Sequence, residues 1–357
     1  LANAEAPWFG LLAVPQNFYA GLGKYPLLAI PMFVLVGSIF DRSGVALRLV
    51  NFAIALVGRG PGMLPLVAIC VAMFLGGISG SGPANAAAVG AVMIAAMNRA
   101  GYPASYSASV VGAAAATDIL IPPSVAFIVY SVLVPGASVP ALFAAGMIPG
   151  VLAGIALIVP AVWMARKHGM GHLESSLPRP PLLKSFIDAI WGLAAPVLIL
   201  GGMRMGWFTP TEAAVVAVFY GLFVGLFVHR SMTLRDLFPI LKESGELSAV
   251  ILLVVSLAGI FAFSLSTLGV IDPITRAIVN SGLGEYGVLA LLILMLITIG
   301  MFLDGVSIFL IFVPLLWPIV QHYNWDPVWF GVLLTLKVAL GQFTPPLAVN
   351  LMVSCRI

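Results

Sequence analysis

Long apolar runs, separated by short stretches rich in glycine, proline or charge, dominate the pattern along the chain. A membrane-spanning α-helix needs about 20 residues that are mostly apolar. Five runs fit or approach this length and are predicted to cross a bilayer, namely residues 25–40, 140–165, 186–203, 210–229 and 247–268. We therefore expect an all-α polytopic membrane protein, in which residues 166–185 form the one clear polar linker.

Four further apolar segments are interrupted near their middle. Residues 61–98 and 285–323 are predicted to be re-entrant hairpins, which return to the face they entered from, and residues 103–134 and 327–354 to be broken crossings. Non-helical backbone at membrane depth survives only where protein buries it or where it lines a hydrated cavity. The stretches "MFLGGISGSGPANAAAVGAVM" and "MFLDGVS" therefore predict a buried or hydrated site at the hairpin tips.

The two halves of the chain repeat each other. "SGVALRLVNFAIALVGRGPGMLPLVAICVAMFLGGISG" resembles "LGVIDPITRAIVNSGLGEYGVLALLILMLITIGMFLDGVS", and "TDILIPPSVAFIVY" is echoed by "GQFTPPLAVNLMVS". The first hairpin is predicted to enter from the cytoplasm and the second from outside, which makes an inverted-topology repeat. We expect a first repeat over 1–165, a cytoplasmic linker over 166–185, and a second repeat over 186–357 whose scaffold spans occupy 186–229. Such repeats with interrupted helices are typical of secondary transporters.

Composition supports a membrane protein and argues against nucleic-acid binding, disulfides and transition-metal sites. The chain is 61% hydrophobic and only 8% charged, with a mean hydropathy of +1.13, whereas soluble domains are about 25% charged. The net charge of +3 is small and the basic residues are scattered, so no nucleic acid is expected as a partner. Cys70 and Cys355 lie in apolar segments and are interpreted as packing residues, so neither a disulfide nor a transition-metal site is predicted.

The distribution of basic residues predicts the orientation. Under the topology above, one face holds Arg42, Arg48, Arg59, Arg99, Arg166, Lys167, Arg179, Lys184, Arg230, Arg235, Lys242 and Arg356. The other face holds Lys24, Arg204 and Arg276, and Lys337 lies within a crossing. Loops rich in lysine and arginine stay in the cytoplasm, so the first face is cytoplasmic. Charge counting cannot distinguish a hairpin from two full spans, because both return the chain to the same side.

Several motifs resemble one transporter family. "LLAIPMFVLVG", "MFLGGISGSGPANAAAVGAVMI", "IPPSVAFIVYSVL", "GGMRMGWFTPTEAAVVAVFYGLFVG", "GMFLD" and "GQFTPPLAVNLM" are similar, in the same order, to the large membrane subunit of tripartite ATP-independent periplasmic (TRAP) transporters. The resemblance runs from about Ala13 to the last residue. It implies Na⁺-coupled uptake of a small organic anion, a carboxylate or sulfonate, through an elevator-type mechanism in the bacterial inner membrane, with no organic cofactor. It also implies two protein partners in addition to membrane lipid: a small membrane subunit and a periplasmic substrate-binding protein.

The resemblance also suggests site residues. Positions carried over by motif as sodium ligands or their supports are Ser79, Gly80, Ser81, Asn85, Thr117, Asp118, Asp304, Ser307, Gly341, Thr344 and Asn350, and those assigned to the substrate are Ser81, Lys337, Pro122 and Pro345. Na⁺ is a hard cation that prefers oxygen ligands, which these residue types supply. Two alternatives stay open: glycine and serine also let helices pack closely in lipid, and Asp304 also suits a helix cap.

Asp118 and Lys337 differ from the small or neutral residues that the family resemblance leads us to expect. A charge at the bilayer centre is costly unless it is paired or hydrated. One hypothesis is that the two side chains pair across the pseudo-twofold axis. Another is that Lys337 contacts the substrate anion while Asp118 assists the cation site. A third is that Lys337 snorkels, so that its amine reaches water.

Three other functions compete with this interpretation. A sodium/anion symporter that needs no binding protein would share the repeat and the broken helices. A passive channel is disfavoured because two occluding hairpins suit alternating access. The third is an intramembrane serine protease, because Gly77-Ile78-Ser79-Gly80 fits a G-x-S-G pattern. Its serine would need a histidine base, but His168, His172, His229 and His322 all lie in loops or at span ends. No enzymatic activity is therefore expected.

Overall fold

The computed structural model describes residues 9–57, 60–176 and 179–357, and within these ranges the regular structure is entirely helical. The α-helices are α1 (Phe9–Leu22), α2 (Ala29–Arg42), α3 (Val45–Leu56), α4 (Met63–Ser79), α5 (Gly82–Arg99), α6 (Ala104–Ala115), α7 (Val125–Leu133), α8 (Val139–Lys167), α9 (Leu182–Arg204), α10 (Pro210–Phe223), α11 (Leu237–Thr267), α12 (Ile271–Val279), α13 (Gly284–Gly300), α14 (Gly305–His322), α15 (Pro327–Gly341) and α16 (Val349–Ser354). Arg59 of the charge count and two linker residues, 177 and 178, lie outside the described ranges.

Six helical segments in the described ranges are long and apolar enough to cross a membrane, namely 25–42, 139–167, 182–204, 210–228, 234–267 and 305–322. The first five correspond to the five predicted spans, and the sixth is the second helix of the segment predicted as a hairpin at 285–323. Together they confirm an all-α polytopic membrane protein. Local sequence sets their ends: α10 begins in a capping box, in which Thr209 and Glu212 satisfy each other's backbone N–H groups and Pro210 takes the first helical position.

Each interrupted segment consists of two helices. α4 and α5 are joined through Gly80 and Ser81, and Gly80 adopts a left-handed φ of 62° that favours glycine. α13 and α14 are joined by residues 301–304. In the first broken crossing a 3₁₀ turn at Ala116–Ile119 follows α6, and five residues separate this turn from α7. In the second, α15 and α16 flank residues 342–348.

The packing of these helices brings both breaks to one region. Each helix pair rests on the broken crossing that follows it, with α4 against α6 and α13 against α15. The last helix of each crossing then contacts the other half of the chain, because α7 packs against α14 and α16 packs against α5. The two halves therefore exchange equivalent contacts, and neither break is enclosed by its own half alone.

The beginning of the polar linker is attached to the base of α4. Glu174, only 5% exposed, accepts hydrogen bonds from the Leu64 N–H (3.0 Å) and the Tyr102 hydroxyl (2.6 Å). The Tyr102 oxygen in turn accepts from the Gly62 N–H at 2.7 Å. Burial raises the pKa of the Glu174 carboxyl, although these hydrogen bonds act in the opposite direction. Because a carboxylate at a helix N-terminus is favoured by the helix dipole, this contact fixes the linker to α4 up to residue 174.

Candidate ion and substrate site

The first hairpin tip lies directly against the first break. A methyl group placed on Gly80 would lie 2.9 Å from the Pro123 carbonyl oxygen, and one on Gly76 would lie 2.7 Å from Asp118 Oδ1 and 2.9 Å from its Cα. Side chains larger than hydrogen do not fit at such distances. The glycines of "FLGGISG" are therefore needed for the close approach of two backbones, which buries Thr117 and Asp118 beside the tip.

Among the described residues of the first tip and break, one buried side-chain oxygen lacks a hydrogen-bond partner. The Thr117 hydroxyl donates to the Ala114 carbonyl at 2.8 Å. Asn85 is 1% exposed and donates from Nδ2 to the Ala72 carbonyl at 2.8 Å, but its Oδ1 has no hydrogen-bond partner in the described part of the chain. The Ser81 carbonyl accepts from the Asn85 N–H at 3.0 Å. Ser79 ends α4, and its side chain lies outside what the structure describes.

The second tip and the second break approach even more closely. A methyl group on Gly341 would lie 2.5 Å from both the Cα and the carbonyl oxygen of Gly300. The Leu347 N–H donates to the Met301 carbonyl at 3.1 Å, which links the break to the tip by a backbone hydrogen bond. The Thr344 hydroxyl donates to the Leu340 carbonyl at 2.5 Å. Backbone contacts therefore hold this break against the second tip.

Asp304 caps α14. Its Oδ2 accepts from the Ser307 N–H at 3.1 Å, and its Oδ1 accepts from the Ser307 hydroxyl. The carboxylate is exposed. This is the capping role weighed against ion binding for Asp304, and it fixes where α14 begins. The Asp304 oxygens still have free lone pairs while they cap the helix. Ion binding by Asp304 therefore stays a prediction.

Gln342 connects the two halves of the site. A methyl group on Gly82, the first residue of α5, would lie 3.0 Å from Gln342 Oε1, and one on Gly305, the first residue of α14, would lie 3.2 Å from Gln342 Nε2. The buried Gln342 side chain thus lies between the starts of helices from opposite halves. Sequence reasoning did not select Gln342, although its position in "GQFTPP", next to Gly341, was a usable signal.

Asn350 completes this central group. Its side chain is 0% exposed and lies against Gly82, where a methyl group would be 2.8 Å from Asn350 Oδ1. The Asn350 backbone N–H donates to the Gln342 carbonyl at 3.1 Å, and Nδ2 donates to Gln342 Oε1 at 3.4 Å. Its Oδ1, like that of Asn85, is buried without a hydrogen-bond partner in the described ranges. An unpaired buried oxygen is costly, so each of these oxygens is suited to bind a cation.

Helix N-termini surround the same region. α5 and α14 begin beside Gln342, and the Val125 N–H at the start of α7 would lie 3.4 Å from a methyl group on Gly80. The first N–H groups of a helix lack intrahelical partners and carry partial positive charge, which favours a bound anion. Uncommitted oxygens and helix N-termini therefore lie side by side, an arrangement that can bind a cation and an anion together.

The remaining predicted residues lie around this centre. Lys337 is half-buried on α15, one turn before Gly341, and α15 contacts the 3₁₀ turn that carries Asp118. The two charged residues are thus on neighbouring elements. Pro122 is buried against the first tip, whereas Pro345 is exposed. The second tip and break are the more open side of the site.

Comparison with known proteins links this arrangement to a family. The model of the "Tripartite ATP-independent periplasmic transporter, DctM component" matches residues 5–357. The chain is 39% identical over 336 residues to the C4-dicarboxylate TRAP transporter large permease protein of Pseudomonas aeruginosa, covering 93% of this chain and 78% of that protein. It is 34% identical over 340 residues to the 2,3-diketo-L-gulonate TRAP transporter large permease protein of Escherichia coli, covering 95% and 79%. With the isethionate TRAP transporter permease protein of Oleidesulfovibrio alaskensis it shares 37% identity over 348 residues, which is 96% of this chain and 54% of that protein, so it spans about half the length of this relative.

Proposed function

Because the chain belongs to the DctM family of TRAP transporter large permeases, we propose that it carries out sodium-coupled uptake of a small organic anion across the bacterial inner membrane. The observation that carries the proposal is a pair of buried oxygens, those of Asn85 and Asn350, which lack a hydrogen-bond partner within the described ranges and lie beside converging helix N-termini. The matched relatives are permeases, which excludes the protease alternative.

Sodium binding at the two breaks accounts for the polar residues found there. In this proposal Asn85 Oδ1 and Asn350 Oδ1 ligate the cation directly. Backbone carbonyls and hydroxyls at the breaks complete the coordination, drawn from Ser79, Gly80, Ser81, Thr117, Asp118, Asp304, Ser307, Gly341 and Thr344. By binding Asn350 Oδ1, the cation would fix the orientation of the Asn350 side chain and of the Gln342 side chain that is hydrogen-bonded to it. Because Gln342 lies between the starts of α5 and α14, sodium would thereby prepare the helix N-termini for the anion, which couples the two ligands.

The substrate is proposed to be a carboxylate or a sulfonate. The N–H groups at the starts of α5 and α7 would bind its charged oxygens, with Ser81, Gln342, Lys337, Pro122 and Pro345 around it. The names of the relatives point the same way, since C4-dicarboxylates are carboxylates and isethionate is a sulfonate. One anionic group bound at the helix N-termini would serve both classes.

Movement is proposed to follow the elevator mechanism of an inverted repeat. The exchanged contacts of α7 with α14 and of α16 with α5 support such a repeat, because each half completes the other half's break. These helices would then move together as one body.

Uptake into proteoliposomes tests the proposal. The chain would be reconstituted with its small membrane subunit, with the sodium gradient and the periplasmic binding protein each present or absent. Radiolabelled carboxylates and sulfonates would serve as substrates. We expect uptake only when both the gradient and the binding protein are present. Uptake with sodium alone would instead assign the chain to symporters that need no binding protein.

Exchange of the two membrane charges tests the pairing hypothesis. If Asp118 and Lys337 pair, each reversal alone leaves two like charges on neighbouring elements and should reduce uptake at least about tenfold. The double variant Asp118→Lys/Lys337→Asp restores opposite charges and should regain part of that loss. Uptake by the double variant that is no better than by either single variant would rule out direct pairing.

A further inference from the structure

A groove follows one side of α8 for more than half the thickness of a bilayer. It consists of a cavity of about 450 Å³ between α8, α4 and α6, and a cavity of about 410 Å³ between α8, α15 and the first break. Leu157 lines both cavities, so they adjoin. From Pro149 to Met164 the groove extends about 22 Å along α8 at 1.5 Å per residue, compared with a hydrocarbon thickness of about 30 Å.

The lining of the groove is mostly apolar. Alanine, leucine, proline and methionine side chains dominate it. The polar atoms of the buried lining are already committed: the Tyr106 hydroxyl donates to the Ala161 carbonyl at 2.5 Å, and the Thr117 hydroxyl donates to the Ala114 carbonyl at 2.8 Å. A hydrocarbon chain suits this buried part of the lining, because it needs no hydrogen-bond partner, whereas the exposed hydroxyls of the lining belong to Ser105 and Ser109.

The groove borders the lipid-facing surface of α8. Ile148, Leu152, Ile155 and Val159 are 49–69% exposed, as expected of a span whose outer face meets the bilayer. Leu152 also lines the deeper cavity. This exposure at the depth of a span fits contact with lipid hydrocarbon, from which an acyl chain can enter the groove sideways.

The positively charged side chain of Lys167 lies at the cytoplasmic end of the groove. The lining residues Ala153, Leu157, Pro160 and Met164 follow each other at intervals of three or four, so they share one face of α8. Lys167 comes three residues after Met164 and continues this row. Its amine lies 4.5 Å from the centre of the Trp163 ring, which is 58% exposed. Tryptophan beside lysine at the end of a span is typical of the headgroup region, where anionic phosphates are found.

We propose that this groove is a binding site for a phospholipid of the cytoplasmic leaflet. One acyl chain fills the groove from Met164 to Pro149, and the phosphate lies at Lys167. The inner end of the chain reaches Thr117 and Leu120. The lipid thus packs against the outer side of the first break and holds it against the first tip. Annular lipid exchanges freely, whereas a chain enclosed on three sides by α6, α8 and α15 would be retained.

Retention of lipid during purification tests this site. The chain would be purified with its small subunit in mild detergent, and phospholipid bound per complex would be counted by native mass spectrometry. Ala156 lines the groove and is exposed, so Ala156→Phe fills the groove without entering the protein core. Ala144→Phe is the matched control, because Ala144 is exposed on the same helix outside the groove.

We expect the unmodified protein and Ala144→Phe to retain one phospholipid that Ala156→Phe loses. Lys167→Gln, which leaves the groove open, should also lose it under harsher delipidation. Equal unfolding temperatures of both phenylalanine variants in lipid-free detergent would show that the loss is not misfolding. Equal lipid retention by the two variants would overturn the proposal. Loss of the small subunit from Ala156→Phe with unchanged lipid would also overturn it, by assigning the groove to a protein helix.

Discussion

Gly341→Ala is expected to abolish sodium-driven uptake. The added methyl group would lie 2.5 Å from both the Cα and the carbonyl oxygen of Gly300, and backbone atoms cannot turn aside as a side chain can. The second break must therefore move away from the second tip. Overpacking of this kind costs about 1–3 kcal/mol of stability, and more when backbone has to shift. The movement would also separate Gln342 from the start of α14, and so disturb both proposed ligand positions at once.

Gly245→Ala is the matched control for this substitution. Gly245 lies inside α11, has an ordinary helical φ, and a methyl group there would meet no atom within 4 Å. Alanine is a better helix former than glycine, so this variant should be as stable as the parent or slightly more stable. Uptake and the midpoint of thermal unfolding would be measured for both variants. If Gly341→Ala transports as well as Gly245→Ala, the close contact of tip and break is not needed for function.

The sequence predicted where helices are interrupted, but not how the interruptions meet. Length and apolarity locate the spans because lipid demands about 20 apolar residues, and glycine and proline locate the breaks because lipid does not tolerate free backbone. The repeat also identifies corresponding residues. Which break contacts which tip depends on contacts between helices more than 170 residues apart in the sequence, such as α7 with α14. No local pattern contains that information.

Gln342 and Glu174 are single residues whose roles could not be predicted from local sequence patterns. Gln342 becomes central only because Gly82 and Gly305 approach it from opposite halves of the chain. Glu174 looks like an ordinary acid of a polar linker, yet it is buried against Leu64 and Tyr102. Asp304 illustrates the converse case, because its position before a helix already indicated the cap that the structure shows. The cap follows from local sequence, whereas the contacts of Gln342 and Glu174 depend on the tertiary structure.

Asn350→Ala is expected to raise the sodium concentration for half-maximal uptake about tenfold or more. Asn350 Oδ1 is fully buried and has no hydrogen-bond partner in the described ranges. A bond to a charged group contributes about 1.5–3 kcal/mol, which corresponds to a factor of ten or more in affinity. Asn350→Asp keeps an oxygen at this position and adds negative charge, so its half-maximal sodium concentration should stay closer to that of the parent than the value of the alanine variant does. Uptake would be measured against sodium concentration for all three proteins.

Stability without sodium separates this role from a purely structural one. If Oδ1 is only an unpaired buried oxygen, added sodium should not stabilise the parent through this site, and the alanine variant should keep the sodium dependence of the parent. If Oδ1 is a ligand, the parent gains thermal stability on adding sodium and the alanine variant does not. Thr335→Ala is the control, because its buried hydroxyl is satisfied by the Gly331 carbonyl at 2.7 Å. It should lose stability equally with and without sodium, since it alters packing on α15 and leaves the coordinating oxygens in place.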